Sequence, residues 1–288
     1  MPELLVTENA LVKGHRIAYG VHGPSDGTPL VLIHGTPSSS LIFHSVLPRL
    51  TAQKFKCYVF DLLGFGESER PFSPEVDTSM TGQVPILTAL MDQVWGLGSA
   101  HIVAHDIGGG IAQRLAAFEG HRLKSLVLID SVSFDSYPSQ RTREQMKNGL
   151  ETLIRTGEAA HRDHFREWLL QAVYHKDRFA ASTLDTFLSY ISGPVGQPSL
   201  FTHQIRHYDP KHTTEIVHKL GEIGRRLPVK IIWGRDDEWQ VQEWAERLHG
   251  AIEGSELDVL GECGHFSLED QPEKIGDLVV DFIRRRGS

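Results

Sequence analysis

The sequence predicts an α/β fold: a mostly parallel central sheet flanked by helices, with a helical cap inserted into it. Three observations carry this reading. Short apolar runs bounded by Gly, Pro, Asp and Ser recur along the chain, as buried parallel strands do. Longer stretches with helical spacing separate them, so strand and helix alternate. One interval, from about Ser133 to Arg226, breaks the alternation and reads as mostly helical.

In chain order the strand candidates are Pro29 to Gly35 (PLVLIHG), Lys56 to Gly64 (KCYVFDLLG), His101 to Asp106 (HIVAHD), Ser125 to Ser131 (SLVLIDS) and Val229 to Gly234 (VKIIWG). Each is too short and too uniformly apolar for an amphipathic helix. Val84 to Leu97 and Gly109 to Phe118 have helical spacing, as do Ile275, Leu278, Val279 and Phe282 within Pro272 to Arg284. The interrupted alternation divides the chain into a core of residues 1–132 and 227–288 and a cap of residues 133–226. The cap carries Phe165, Trp168, Tyr174, Phe179, Phe187, Tyr190, Phe201 and Tyr208, aromatics that can form its own small core.

A chain of 288 residues holds one large domain with an insertion. With 29 Lys+Arg against 37 Asp+Glu the formal charge is −8, and the longest basic run is Arg284-Arg285-Arg286. This balance argues against nucleic acid or an anionic membrane as partner. Two cysteines, Cys57 and Cys263, make no disulfide framework. No basic segment leads into an apolar stretch at the start, and no run approaches 18 apolar residues. A soluble, cytoplasmic protein is expected; nothing in the pattern speaks to its oligomeric state.

In an open parallel sheet, ligands bind at the carboxyl ends of the strands. The run His101-Ile102-Val103-Ala104 leads through His105-Asp106-Ile107-Gly108-Gly109 into the helical Ile111 to Ala116. This strand, tight turn, helix arrangement is a nucleophile elbow with Asp106 at its tip where G-x-S-x-G would place Ser. Alternatively, Asp106 caps the helix that follows. The other strand ends decide: His34-Gly35-Thr36-Pro37, Gly234-Arg235-Asp236-Asp237 and Gly261-Glu262-Cys263-Gly264-His265 place nucleophile, acid and histidine in one chain order.

With HGTP, DLLGFGESERP (Asp61 to Pro71), HDIGG, GRDD and GHF in that order over nearly the whole length, the chain resembles the α/β-hydrolases of the aspartate-nucleophile branch. That branch holds epoxide hydrolases, haloalkane dehalogenases and haloacetate dehalogenases. The resemblance implies the α/β-hydrolase fold and a triad of Asp106, His265 and Asp237. Asp106 is ionised at neutral pH and can displace a leaving group at carbon unaided. Only hydrolysis of the resulting ester needs His265 as base on a water. Asp237 would orient the imidazole; Asp236 competes for that role, and Asp130 is a further possible acid or a closing bond of its strand. By analogy the oxyanion would be held by the backbone N–H groups of Thr36 and Ile107. His34 and His105 are expected to hold loops. No metal and no organic cofactor are implied.

The leaving group is set by departures from the branch. Haloalkane dehalogenases place Trp after the nucleophile and Asn after His-Gly; here stand Ile107 and Thr36. Trp168 or Trp239 could substitute as pocket residues. Haloacetate dehalogenases carry Arg where Ile107 and Gly110 stand, so a haloacid would lack its bidentate partners. Epoxide hydrolases share His-Gly-x-Pro and draw an acid for the opening oxygen from cap tyrosines, for which Tyr174, Tyr190 and Tyr208 are available, with His175, His203 and His207 as alternatives. The expected substrate is a small, neutral, largely apolar molecule, with water as co-substrate. Epoxide hydrolysis ranks first, then haloalkane dehalogenation, then hydrolysis of an ester or lactone. A ligand-binding relative without turnover is the reading from a different class.

Overall fold

The computed structural model describes residues 3–286; residues 1–2 and 287–288, the outer ends of the expected core segments, lie outside them. Its centre is an eight-stranded sheet in the order β1-β2-β4-β3-β5-β6-β7-β8. The strands are β1 (Glu8–Val12), β2 (His15–His22), β3 (Thr28–Ile33), β4 (Phe55–Phe60), β5 (Ala100–His105), β6 (Leu123–Ile129), β7 (Val229–Gly234) and β8 (Glu256–Leu260). β2 pairs antiparallel with both β1 and β4, whereas β4, β3, β5, β6, β7 and β8 run parallel. The five apolar runs correspond to β3 to β7. They leave out the amino-terminal hairpin, because β1 and β2 mix exposed polar residues with buried apolar ones as edge strands do. Lys13 and Gly14, both at positive φ, turn that hairpin.

Helices α1 (Leu47–Ala52), α2 (Met80–Ala89) and α3 (Ile107–Glu119) alternate with the strands. Ser79 caps α2 by accepting the Gly82 N–H, and beyond Ala89 the chain continues through a wider turn to Val94. The junction of β5 and α3 is the tightest point of the fold. Asp106 sits there at φ 53°, ψ −120°, a backbone region that L residues rarely occupy. Gly108 follows, where an added Cβ would come within 2.5 Å of the carbonyl oxygens of Ile33 and His34. Only glycine lets α3 start this close to β3.

Between β6 and β7 no strand occurs among the described residues; the segment runs through short helices, the longest being Glu158–Leu170. It packs onto loops that leave the carboxyl ends of the strands. Gln204 accepts from the Thr36 hydroxyl beyond β3, and Phe266 N beyond β8 donates to Ala172 O. One apolar cluster fills the face under α2 and α3. The other joins Leu30, Val59 and Val103 of the sheet to Phe165, Phe187 and Phe201 of the insertion and to Phe266. The insertion therefore shares its apolar core with the sheet.

Candidate active site

The strained backbone at the elbow aims the Asp106 side chain across the mouth of β3, not down onto its own helix. No side-chain cap bond forms to α3. Instead Oδ1 accepts the backbone N–H of Thr36 at 2.7 Å. Oδ2 lies 3.5 Å from Nε2 of His265. The imidazole's other nitrogen, Nδ1, is 2.8 Å from Oδ2 of Asp237. Thus three side chains from the ends of β5, β7 and β8 meet at one point, all of them buried.

Asp237 is itself fixed, since its Oδ1 accepts the N–H groups of Trp239 and Gln240 at 2.7 and 2.8 Å. Asp236 turns away: it is exposed and accepts the Cys263 N–H at 3.2 Å. Asp130 is buried at φ 43°, ties β7 by accepting Gly234 N at 2.7 Å, and takes the Ser267 hydroxyl on its other oxygen. Burial, then the charge of Asp237, pushes its carboxyl well above the usual range.

Burial alone would lower the His265 pKa, but the charge of Asp237 and hydrogen bonds to Asp106 and Asp237 outweigh it, so the imidazole is held well above its ordinary value. The two flanking histidines behave differently. His34 Nε2 accepts Leu62 N at 2.9 Å and its Nδ1 donates to Gly35 O at 2.8 Å, which fixes a neutral tautomer. His105 donates to the His265 carbonyl at 2.9 Å, and burial lowers it to about 4. Both hold loops as neutral rings.

Asp106 and His265 face a cavity of about 40 Å³ lined also by Thr36, Tyr137, Trp168, Tyr208, Trp239 and Gln240, with Asp237 behind the imidazole and outside the lining. That is space for a few waters. Of the cap residues singled out from sequence, Tyr208 and Trp168 reach it. The Tyr208 hydroxyl meets Thr36 Oγ1 at 2.5 Å, and its ring lies 4.7 Å from that of Tyr137, whose hydroxyl it also engages. Burial pushes both phenols up, so both stay protonated. Trp168 stacks on Trp239 at 4.3 Å, and Trp239 in turn lies over His265 at 5.0 Å. The indole N–H of Trp239 is buried with no acceptor.

Tyr174, Tyr190, His175, His203 and His207 do not line this cavity. Tyr174 and His175 spend their backbone N–H groups on Asp270, which leaves the Tyr174 ring in solvent. Tyr190 lies beside Arg70, Asp61 and Glu67. His203 packs over Gly64, and His207 lines an outer cleft on the far side of Tyr208. Ile107 begins α3 beside Asp106, with its side chain buried in the core.

Among the lining residues that the sequence did not point to, which include Pro138, Ser139, Thr142 and Gln240, Tyr137 is the one that brings a phenol. Its stretch, SVSFDSYPSQ, has neither strand nor helix periodicity. The available clue was position, since the segment leaves the carboxyl end of β6, on the edge where ligands bind.

Residues 28–272 match the model of the alpha/beta hydrolase fold family. A 2-hydroxy-6-oxononadienedioate/2-hydroxy-6-oxononatrienedioate hydrolase of Burkholderia vietnamiensis is 26% identical, covering 92% of this chain and 91% of its own. A cis-3-alkyl-4-alkyloxetan-2-one decarboxylase of Shewanella oneidensis is 24% identical over 94% of this chain and 86% of its own. The crystal structure of an alpha/beta hydrolase fold protein from Burkholderia ambifaria superposes with a TM-score of 0.84 at 29% identity, covering 98% and 99% of the two chains. The chain is a hydrolase belonging to the α/β hydrolase fold family.

Proposed function

We propose that this hydrolase opens small, neutral, largely apolar electrophiles in two steps through an ester of Asp106, with epoxides as its first substrate class. One observation supports this most. Oδ1 of Asp106 already occupies the Thr36 N–H, while Oδ2 faces His265 and the cavity. A carboxylate in this pose presents one oxygen for attack and parks the other where an oxyanion must later be held.

In the first step Oδ2 attacks a ring carbon, the carbon–oxygen bond breaks, and the departing alkoxide takes a proton from Tyr208 or Tyr137. Both phenols stand at the cavity as neutral donors. In the second step a water adds to Cγ of the ester and gives a proton to His265. Oδ1 becomes the oxyanion on the Thr36 N–H; collapse expels the diol oxygen, which takes the proton from His265. The proton left on the new carboxyl returns to the phenolate.

Esterification removes the negative charge of Asp106, one of the influences that raise His265. The imidazole pKa therefore falls when a base is needed, and Asp237 keeps it oriented. The dienedioates named for the Burkholderia vietnamiensis relative carry two carboxylates. Among the described residues no Lys or Arg lines this cavity, and Asp106 would repel two carboxylates, which supports neutral substrates.

The unpartnered N–H of Trp239 favours dehalogenation as the second reading, since it could hold a departing halide. A strained cyclic ester, such as the oxetanone named for the Shewanella relative, would meet the same nucleophile.

The test is single-turnover reaction of excess enzyme in heavy-oxygen water with a panel of oxiranes, haloalkanes and lactones. The first product is expected to carry ordinary oxygen from Asp106, and His265→Gln to stall as a covalent adduct visible by intact mass. Heavy oxygen in the first product together with no adduct would overturn the reading.

A further inference from the structure

Both peptide neighbours of His265 hang on the insertion. On one side, Gly264 N donates to Oδ2 of Asp270 at 2.8 Å. The same carboxylate accepts Tyr174 N at 2.8 Å on Oδ2 and His175 N at 2.9 Å on Oδ1. On the other side, Phe266 N donates to Ala172 O at 2.7 Å. Arg178 donates to the carbonyls of Glu269 and Asp270, and the Thr183 hydroxyl to Glu269 Oε1. Asp270 is only 3% exposed, so water does not compete for these bonds.

A second feature is independent of the carboxylate. A Cβ on Gly264 would lie 2.8 Å from Ala172 O and 3.1 Å from Val173 Cα. The two backbones are in direct apposition, and any side chain at residue 264 would force the insertion away. The segment that makes these bonds continues from the helix Glu158–Leu170, whose Trp168 walls the cavity.

We infer that Asp270 is the positioning residue through which the insertion aligns His265. Three N–H groups from two chain segments converge on its carboxylate, a set of charge-assisted bonds that a neutral side chain cannot reproduce. His265 needs alignment because it must keep Nδ1 on Asp237 at 2.8 Å while Nε2 faces Asp106. On the two-step reading proposed above, on which this role rests, the alignment serves ester hydrolysis and not the first attack, in which His265 takes no part.

Asp270→Asn tests it, with Gly264→Ala as the second variant. With an oxirane that wild type turns over, adduct formation and decay are followed separately by quenched flow and intact mass. Decay is expected to slow by at least about tenfold in each variant while formation changes by less than about threefold, so that adduct accumulates in turnover. A fall of both half-reactions together, or of neither, overturns the role. The low-field proton resonance of His265 Nδ1–H, bonded to Asp237, is the measurement that does not depend on the nucleophile. It is expected to broaden or vanish in Asp270→Asn, and its persistence unchanged overturns the role even where the chemistry is something else. Failure of His265→Gln to form any adduct would strike the two-step reading alone, and the resonance would then decide. Urea unfolding of each variant identifies one that does not fold, in which case the other carries the test.

Discussion

On the proposed two-step reading, the proton donors at the cavity are the Tyr137 and Tyr208 phenols and the base is His265. Tyr208 is the donor best anchored, held by Thr36 Oγ1, which is in turn tied to Gln204. Tyr208→Phe is therefore expected to lower kcat on an oxirane by about 10- to 100-fold. It should leave turnover of an activated ester within about threefold, since a good leaving group needs no acid. Equal loss on both substrates, measured side by side, would mean that the phenol only packs. The residues that meet at Asp106 were legible because each lies in the loop that follows a strand and within three residues of a glycine, where chain geometry and chemistry coincide. Tyr137 and Asp270 were not, because their roles come from segments far apart in sequence that only the fold brings together. Asp270 reaches residues 95 and 96 positions away.

At the level of elements, the strands β3 to β7 could be read because both faces of a parallel sheet are buried and their sequences are uniformly apolar. The amino-terminal hairpin could not be found by that search, since its strands are polar on the solvent side. The elbow shows how one element constrains the next. α3 can begin where it does only because residue 108 has no side chain to meet Ile33 and His34. Gly108→Ala is expected to destabilise the protein by about 1–3 kcal/mol through overpacking against immovable backbone. It should also lower activity, because the shift passes directly to Asp106. Gly120, at the other end of α3, faces open space at φ −55°. Gly120→Ala is expected to be neutral or stabilising by up to about 1 kcal/mol. Urea unfolding of the pair separates a local clash from a general intolerance of α3 to alanine.

The molecule as a whole is held by two apolar clusters, and the insertion contributes to both, with Leu220 and Ile223 in one and Phe165, Phe187 and Phe201 in the other. No helix among the described residues is long and apolar enough to cross a membrane. Where the insertion meets the sheet, the fold carries one group whose burial works against it. Glu269 is only 6% exposed; desolvation raises its carboxyl from an ordinary 4.5 to about 7, and the Thr183 hydroxyl and Arg178 offset this only in part. The sign follows from proton counting. Between pH 4.5 and 7 the folded state holds a proton that the unfolded chain has released, so stability present at low pH is lost as pH rises through that window. A shift of this size corresponds to about 3 kcal/mol. Glu269→Gln keeps an oxygen for the Thr183 hydroxyl and cannot ionise. Its stability by urea unfolding is expected to match wild type at pH 4.5 and to exceed it by about 3 kcal/mol at pH 8. A variant less stable than wild type at pH 8 would show instead that the ionised carboxylate is fully compensated by Arg178 and the Thr183 hydroxyl. The junction between insertion and sheet would then be held by charge and not strained by it.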